Sequence, residues 1–377
     1  MLERRFLKQV DYGLFLNVLP LLVISLLVVA SATKANTDIP DRFFFVKRQL
    51  LWIGLGTGAA FLPMVIDYNA LARWARLLYY INLGLLSAVL VAGRSALGAQ
   101  RWIQIGPFPL QPSELAKIIM IITLANYLSQ REGKLKNLRD LLPSFLHVGI
   151  PMLLILKQPD LGTSLVFLAI LIGVFFLAGA PARLLIYVFG GGLLAGILAI
   201  FLHFHLGLWL PLEGYQLMRL IVFINPEADP LGAGYHIIQS RIAIGSGGWL
   251  GKGLFAGTQN QLDFLPEQHT DFIFSVTGEE LGFFGALTVL ALQFFLIWRA
   301  MRIAAAAKDP FGLLLAGGVA SMFLFHVFIN VSMTMGIMPV VGIPLPFVSY
   351  GGSAMITNFL AIGLLQSIWM RRQKILF

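Results

Sequence analysis

The 377-residue chain contains no cysteine, which excludes a disulfide framework, a thiolate metal site and a cysteine nucleophile. Charge is scarce as well. Asp, Glu, Lys and Arg together make up 12% of the residues, against 58% hydrophobic ones, too little polar surface for a water-soluble chain of this length. Familiar spacings of chemistry are also missing. The six histidines, His147, His203, His205, His236, His269 and His326, show no helical metal spacing, and His203-Phe-His205 alone does not make a zinc site. Gly245-Ser-Gly-Gly-Trp-Leu-Gly-Lys-Gly253 follows no strand and lacks the spacing of a nucleotide-binding loop; it reads as a tight turn over a membrane surface. Ser349-Tyr-Gly-Gly-Ser353 is not a nucleophile elbow, because its glycines are misplaced and no strand precedes it.

Apolar stretches long enough to cross a bilayer recur throughout the chain. A hydrocarbon core about 30 Å thick needs about 20 apolar residues at 1.5 Å each. The fold class expected is therefore all-α: a polytopic integral membrane protein of about ten transmembrane helices, read as a single membrane domain over residues 1–377. The expected spans are Tyr12 to Ala32, Gln49 to Ile66, Leu77 to Gly93, Ser113 to Leu128, Phe145 to Leu156, Gly162 to Ala178, Leu184 to His203, Phe272 to Trp298, Phe311 to Met333 and Ser353 to Met370. No cleavable signal is expected, because Met1 to Lys8 runs straight into a full-length apolar helix.

With both termini placed in the cytoplasm, sixteen of the 27 basic residues fall on the inner side: Arg4, Arg5, Lys8, Arg73, Arg76, Arg131, Lys134, Lys136, Arg139, Arg183, Arg299, Arg302, Lys308, Arg371, Arg372 and Lys374. That asymmetry is the positive-inside pattern. The net charge of +9 is thus a topology signal facing anionic inner-leaflet lipid, and no nucleic-acid partner is expected. Three irregular segments then share the outer side: Arg94 to Pro112, Leu206 to Thr270 and Ile337 to Gly352. The middle one is too long to be structureless and is expected to carry short interfacial helices.

Ionisable groups at membrane depth are costly unless paired or wet, so each is a candidate site residue. Glu114 and Lys117 share one face at the outer start of the fourth span, either as a self-neutralising helix anchor or as part of a cavity. Asp160 follows the helix-breaking Pro159; alone it reads as a solvated cap. Asp271 occupies the first turn of the eighth span, where a carboxylate caps free amides and is held ionised, as a base requires. Glu279 and Glu280 lie about 12 Å deeper, bonded to neighbouring helices or lining a wet cavity. Arg48, Arg101 and Arg219 fall on the same outer side. An outward-facing polar cavity uniting these groups suits an amphiphile with an anionic headgroup: cations for phosphate, a carboxylate for proton transfer.

Several strings carry a resemblance to a known family. They are Arg101-Trp-Ile-Gln-Ile-Gly106, Gln111-Pro-Ser-Glu-Leu-Ala-Lys117, Lys157-Gln-Pro-Asp-Leu-Gly-Thr163, Asn225-Pro-Glu-Ala-Asp-Pro-Leu-Gly-Ala-Gly-Tyr235, His269-Thr-Asp-Phe-Ile-Phe274 with Gly278-Glu-Glu-Leu-Gly282, and Gly342-Ile-Pro-Leu-Pro-Phe-Val-Ser-Tyr-Gly-Gly-Ser353. Together they resemble the SEDS family (shape, elongation, division and sporulation), and Tyr235-His-Ile-Ile-Gln-Ser240 with Gly257-Thr-Gln-Asn-Gln-Leu262 favours its rod-shape branch.

The resemblance implies a peptidoglycan glycosyltransferase of the bacterial cytoplasmic membrane, working on the extracytoplasmic side. Its substrate would be lipid II and its partner a class B penicillin-binding protein, with contacts around Leu281 to Met333. The family's proposed catalytic aspartate carries over to Asp271, and its polar cavity to Glu114, Lys117 and Asp160, with Arg101 and Arg48 nearby. A diphosphate leaves without a general acid, so one base suffices. Asp271 would take the acceptor proton while Arg48, Arg101, Lys117 or Arg219 neutralises the diphosphate, directly or through a divalent cation such as Mg or Mn. Asp160 as base or metal ligand stays open at this point. Two other classes also stay open: a flippase for a lipid-linked sugar, with Glu279 and Glu280 as its best support, and a non-catalytic scaffold for the penicillin-binding protein.

Overall fold

A computed structural model describes residues 9–34, 41, 43–96, 99–106, 108–131, 133–210 and 214–372. Arg4, Arg5, Lys8 and Lys374, which bear on the expected orientation, lie outside the described residues.

Ten helices of 17 residues or more match the expected spans. They are α1 (Tyr12–Ala32), α2 (Phe44–Val65), α3 (Tyr68–Ala92), α4 (Pro112–Ser129), α5 (Leu138–Leu156), α6 (Leu161–Leu177), α7 (182–206, with a π-turn at Ile186–Gly190), α11 (Ile273–Ala305), α12 (Pro310–Thr334) and α13 (Gly352–Met370). Seven of them are long and apolar enough to cross a bilayer by themselves. The other three are α2, which carries Lys47, Arg48 and Gln49 near its start, α4, which carries Glu114 and Lys117, and the 17-residue α6. The chain is a multi-pass membrane protein. Side chains such as Leu16, Phe61, Leu146, Leu194, Phe294 and Leu324 are exposed around the bundle, as lipid-facing residues are, whereas most of α12 and α13 is buried.

Several helices start earlier than hydropathy alone indicates, because polar caps begin them. Asp67 accepts from the Asn69 amide at 3.0 Å and starts α3 at Tyr68 instead of Leu77. Asn137 and Asp140 form a reciprocal capping box that starts α5 at Leu138 instead of Phe145. Asp309 caps α12 ahead of Pro310 in the first helical position.

The segment after α3, expected to be irregular, is a small antiparallel sheet in the order β1 (Arg94–Ala96), β2 (Ala99–Ile105), β3 (Phe108–Leu110). Ile103 pairs with Leu110 and Ile105 with Phe108. The strands are too short for their alternation to stand out from a loop. The long segment after α7 carries α8 (Gly214–Ile224), α9 (Ala233–Ser246) and a single turn, α10 (Thr258–Gln261), in keeping with short interfacial helices.

The glycine-rich segment is a turn, as expected, over residues 247–250, exposed at 248–250, and it also packs into a break in a helix. Helix α11 is broken at Gly282 (φ 67°, ψ −164°), and residues 247–253 fill the break. The amides of Lys252 and Gly253 donate to the carbonyls of Glu279 and Glu280, each at 3.0 Å, and the Phe283 amide donates to the Gly248 carbonyl at 2.9 Å. The inserted segment thus takes up backbone groups that the break sets free. A Cβ on Gly282 would stand 2.2 Å from the Gly251 nitrogen, so no larger residue fits. Both carboxylates beside the break are buried and committed. Glu279 pairs with Lys252 at 2.7 Å and accepts from the amides of Gln259 and Asn260. Glu280 accepts from the Ser31 hydroxyl at 2.6 Å and from the Asn260 side chain at 2.9 Å.

Candidate active site

A cavity of about 460 Å³ opens where the sheet, the ends of α4, α6, α9, α11 and α13 and the loop before α13 meet. Of the candidate residues, Asp271, Glu114, Lys117, Asp160, Arg101 and Arg219 line it, joining parts of the chain far apart in sequence. Arg48 does not. It stacks on Phe44, 4.6 Å from the ring centre, and stands behind Tyr350, whose hydroxyl it faces from outside the cavity wall.

The cavity is also where five helices begin. Gln111 precedes α4, Asp160 caps α6, Ala233 opens α9, Phe272 precedes α11 and Gly351 precedes α13, and all five residues are in its wall. Each helix start carries the positive end of a dipole, although Asp160 and Asp229 already cap amides of α6 and α9. With Arg101, Lys117 and Arg219 added, the potential suits an anionic group in spite of four carboxylates.

The carboxylates differ sharply in what they already do. Asp160 accepts from the Thr163 amide at 3.1 Å, the Thr163 hydroxyl at 2.9 Å, the Gln111 side chain at 3.1 Å and the Ser113 hydroxyl at 3.2 Å. Arg101 stands 4.0 Å from it, donating to the carbonyls of Gln158 and Pro159. Asp160 is thus a cap, as its position after Pro159 suggested, but it is a buried one and not solvated. Glu114 pairs with Lys117 at 2.8 Å, both nearly inaccessible. Asp271 has no hydrogen bond to its carboxylate among the described residues. Burial pushes its carboxyl up from the usual 3.8 to about 6; Glu267, then Asp160, add to the rise, and Arg219 and Arg101 oppose it.

The backbone that carries Asp271 is clamped by the segment before α13. The Tyr350 amide donates to the His269 carbonyl at 2.9 Å, and the Ser349 hydroxyl donates to the Thr270 carbonyl at 2.7 Å. Buried Asn330 of α12 donates to the carbonyls of Asp271 at 2.9 Å and Ile343 at 2.7 Å. A Cβ on Gly342 would stand 2.9 Å from Asp271 Oδ2, so the carboxylate rests against bare backbone there. Ser349 is therefore a brace, consistent with its rejection as a nucleophile.

The model for cell cycle proteins of the FtsW, RodA and SpoVE type matches residues 12–374. The chain belongs to this family. It is 41% identical to the peptidoglycan glycosyltransferase MrdB of Escherichia coli K12, over 97% of this chain and 95% of that one. It is 40% identical to the probable peptidoglycan glycosyltransferase FtsW of Trichlorobacter lovleyi, over 96% and 93%. A solved chain from a peptidoglycan synthase complex that coordinates polymerization and crosslinking superposes with a TM-score of 0.78 at 34% identity, covering 96% of this chain and 98% of that one.

Four cavity groups escaped the sequence reading. Glu267 and His236 lie in the long outer segment, where nothing in their spacing marks them. Burial lowers the pKa of His236, as it does that of His269 behind the wall. Tyr350 sits in a string whose serines drew attention instead. His326 lies within an apolar span, and a histidine at that depth is itself a signal.

Proposed function

We propose that the chain is a peptidoglycan glycosyltransferase that polymerises lipid II on the extracytoplasmic face of the bacterial cytoplasmic membrane, with Asp271 as its general base. The observation that carries the reading is the contrast among the carboxylates: Asp271 alone of the expected site residues presents an uncommitted carboxylate, and it does so in a cavity ringed by cations and helix starts.

The chemistry follows from that arrangement. The acceptor sugar's 4-hydroxyl oxygen attacks C1 of the donor from the face opposite the diphosphate. The new C1–O bond forms as the bond to the lipid diphosphate breaks, inverting the anomeric carbon. The hydroxyl proton passes to Asp271, and the departing diphosphate takes its charge to Arg101, Arg219, Lys117 and the helix starts. No general acid is needed, which agrees with Asp160 capping α6 and Glu114 being paired with Lys117. A resident divalent cation fits the protein donors poorly: no group of three or more His, Asp or Glu is clustered among the described residues, and Asp160 already accepts four hydrogen bonds. No step is therefore routed through a metal.

The partner is a class B penicillin-binding protein, a reading supported by the similarity to a chain from a synthase complex that couples polymerization to crosslinking. The exposed Phe294, Leu324 and Phe328 on α11 and α12 lie within Leu281 to Met333, where that partner would pack. The test is direct. Purified protein with lipid II and its partner should yield a ladder of glycan strands, and Asp271→Ala should lose it by on the order of 10²–10⁴-fold while remaining folded. A full ladder from Asp271→Ala would remove the residue from the role.

A further inference from the structure

The floor of the cavity is a three-residue arrangement that the reaction above uses only in part. Lys117 has an ammonium with three N–H donors and no capacity to accept. One goes to Glu114 Oε1 at 2.8 Å, and a second meets His326 Nε2 at 3.1 Å. Since the lysine can only donate, Nε2 must be the bare nitrogen of the ring. The proton then resides on Nδ1, which faces the Pro344 carbonyl at 3.2 Å. The tautomer is set by its neighbours, and the ring is buried. The third N–H of Lys117 has no protein acceptor among the described residues, and Lys117 and His326 both line the cavity.

Glu114 and Lys117 lie three apart on α4, so that pair holds the ammonium by a single contact from its own helix. His326 approaches from a different helix, α12, and supplies the second fixed point that a direction requires. Its anchor, Pro344, belongs to the same segment that holds Gly342 against Asp271 and Tyr350 against His269. One segment thus ties the cation on the floor to the base on the wall.

We infer that His326 is a positioning residue that, as a neutral Nδ1–H imidazole, aims the free N–H of Lys117 at the diphosphate of the lipid-linked donor. The inference rests on the reading of Lys117 as a diphosphate cation, and the experiment separates the two. The measurements are KM for lipid II, kcat, and the inhibition constant of a polyprenyl diphosphate. They are made on the full-length protein with its partner for wild type, His326→Phe, His326→Gln and Lys117→Met, and for the His326→Phe, Lys117→Met double variant.

A hydrogen bond to a charged group is at stake, so His326→Phe should raise KM and the inhibition constant together by about 10- to 100-fold with kcat within about threefold. His326→Gln, whose amide can accept from Lys117 and donate to Pro344, should stay within about threefold of wild type. In the Lys117→Met background the His326→Phe change should add less than about twofold, because its effect acts through Lys117. His326→Leu replaces the phenylalanine variant if the ring cannot be housed. The inference is overturned if His326→Phe lowers kcat and leaves both constants alone, or if His326→Gln is as impaired as His326→Phe. If Lys117→Met leaves the inhibition constant unchanged, the diphosphate reading of Lys117 falls and the inference with it. If Lys117→Met raises the constant and His326→Phe does not, only the inference falls.

Discussion

Replacing Gly342 by alanine tests the site by moving the base without removing it. The new methyl would stand 2.9 Å from Asp271 Oδ2, where ordinary contact begins at 3.4 Å, so the carboxylate must retreat by about half an ångström. A misplacement of about 1 Å costs on the order of 10²-fold in rate, so half of it predicts about a tenfold fall in kcat. Gly342 also has φ of 77°, a conformation that costs a side-chain-bearing residue roughly 1–2 kcal/mol. Stability therefore drops as well and needs a control. Gly133 has φ of 70° with nothing within 4 Å of a built Cβ, so Gly133→Ala carries the same backbone strain far from the cavity. Glycan synthesis from lipid II and thermal unfolding in the same detergent would be measured for both variants. Gly133→Ala should lose stability and keep kcat; Gly342→Ala should lose both. A Gly342→Ala protein with wild-type kcat would show that the position of the Asp271 carboxylate does not set the rate.

The remaining predictions bear on the carboxylates. With Asp271 pushed up to about 6, kcat/KM should climb tenfold per pH unit below pH 6 and level off above it, and a profile flat from pH 5 to 8 would exclude this base. The same rise means that the ionised carboxylate is disfavoured in the folded protein. Stability associated with Asp271 is complete below pH 3.8 and is lost as pH passes through 6, so Asp271→Asn should unfold at a higher temperature than wild type at pH 8, by a margin that shrinks to nothing near pH 4. Asp160→Asn retains an acceptor for the Thr163 amide and should keep activity within about tenfold, while Asp160→Ala should lose about 1 kcal/mol as a lost cap; loss of polymerisation comparable with Asp271→Ala would make Asp160 a second catalytic group. Glu279→Ala removes the partner of Lys252 and two amide contacts, so trypsin should cut after Lys252 at least tenfold faster than in wild type, and unchanged cleavage would deny that the clamp holds the inserted segment.

Hydropathy, helix breakers and the side on which charges fall were enough to reach ten helices and a shared cavity, because both follow from the cost of putting charge in lipid. The same logic picked out Asp271, Glu114, Lys117, Asp160, Arg101 and Arg219, which share that cavity. It failed where a residue's neighbours are set by tertiary contact. Arg48 lies at the right end of its helix, yet its rotation places it behind Tyr350. Glu279 and Glu280 looked like a buried polar path, and only the inserted loop, folding back from residues 247–260, shows what neutralises them. Gly282 could not be recognised as a break, since a glycine in an apolar helix is common in membranes. His326 and Asn330 are spaced one helical turn apart on α12, and no motif announces that one meets Lys117 and the other holds the backbone of Asp271.

The depth of the cavity also discriminates between bond formation and transport. A flippase must carry a charged headgroup across the bilayer, so its polar lining has to continue past the midplane. Here it stops at the Glu114, Lys117 and His326 floor. One turn further along α12 lies Phe323, whose ring packs on Phe347, and Phe347 packs on Phe359, with centroids 6.0 and 5.4 Å apart. Ile121, Phe167 and Val319 close the same layer and are fully buried. The two glutamates that a polar path would have used are consumed in holding the loop at Gly282. A diphosphate passing this layer would lose its hydration with no replacement donors, at a cost of several kcal/mol per charge. In proteoliposomes, a fluorescent lipid diphosphate sugar placed in one leaflet should therefore remain there as long with the protein as without it, even as the same vesicles polymerise lipid II. Accelerated crossing that Phe323→Ala enhances would reverse the assignment, because opening the apolar layer can speed transport but has no route to the chemistry at Asp271.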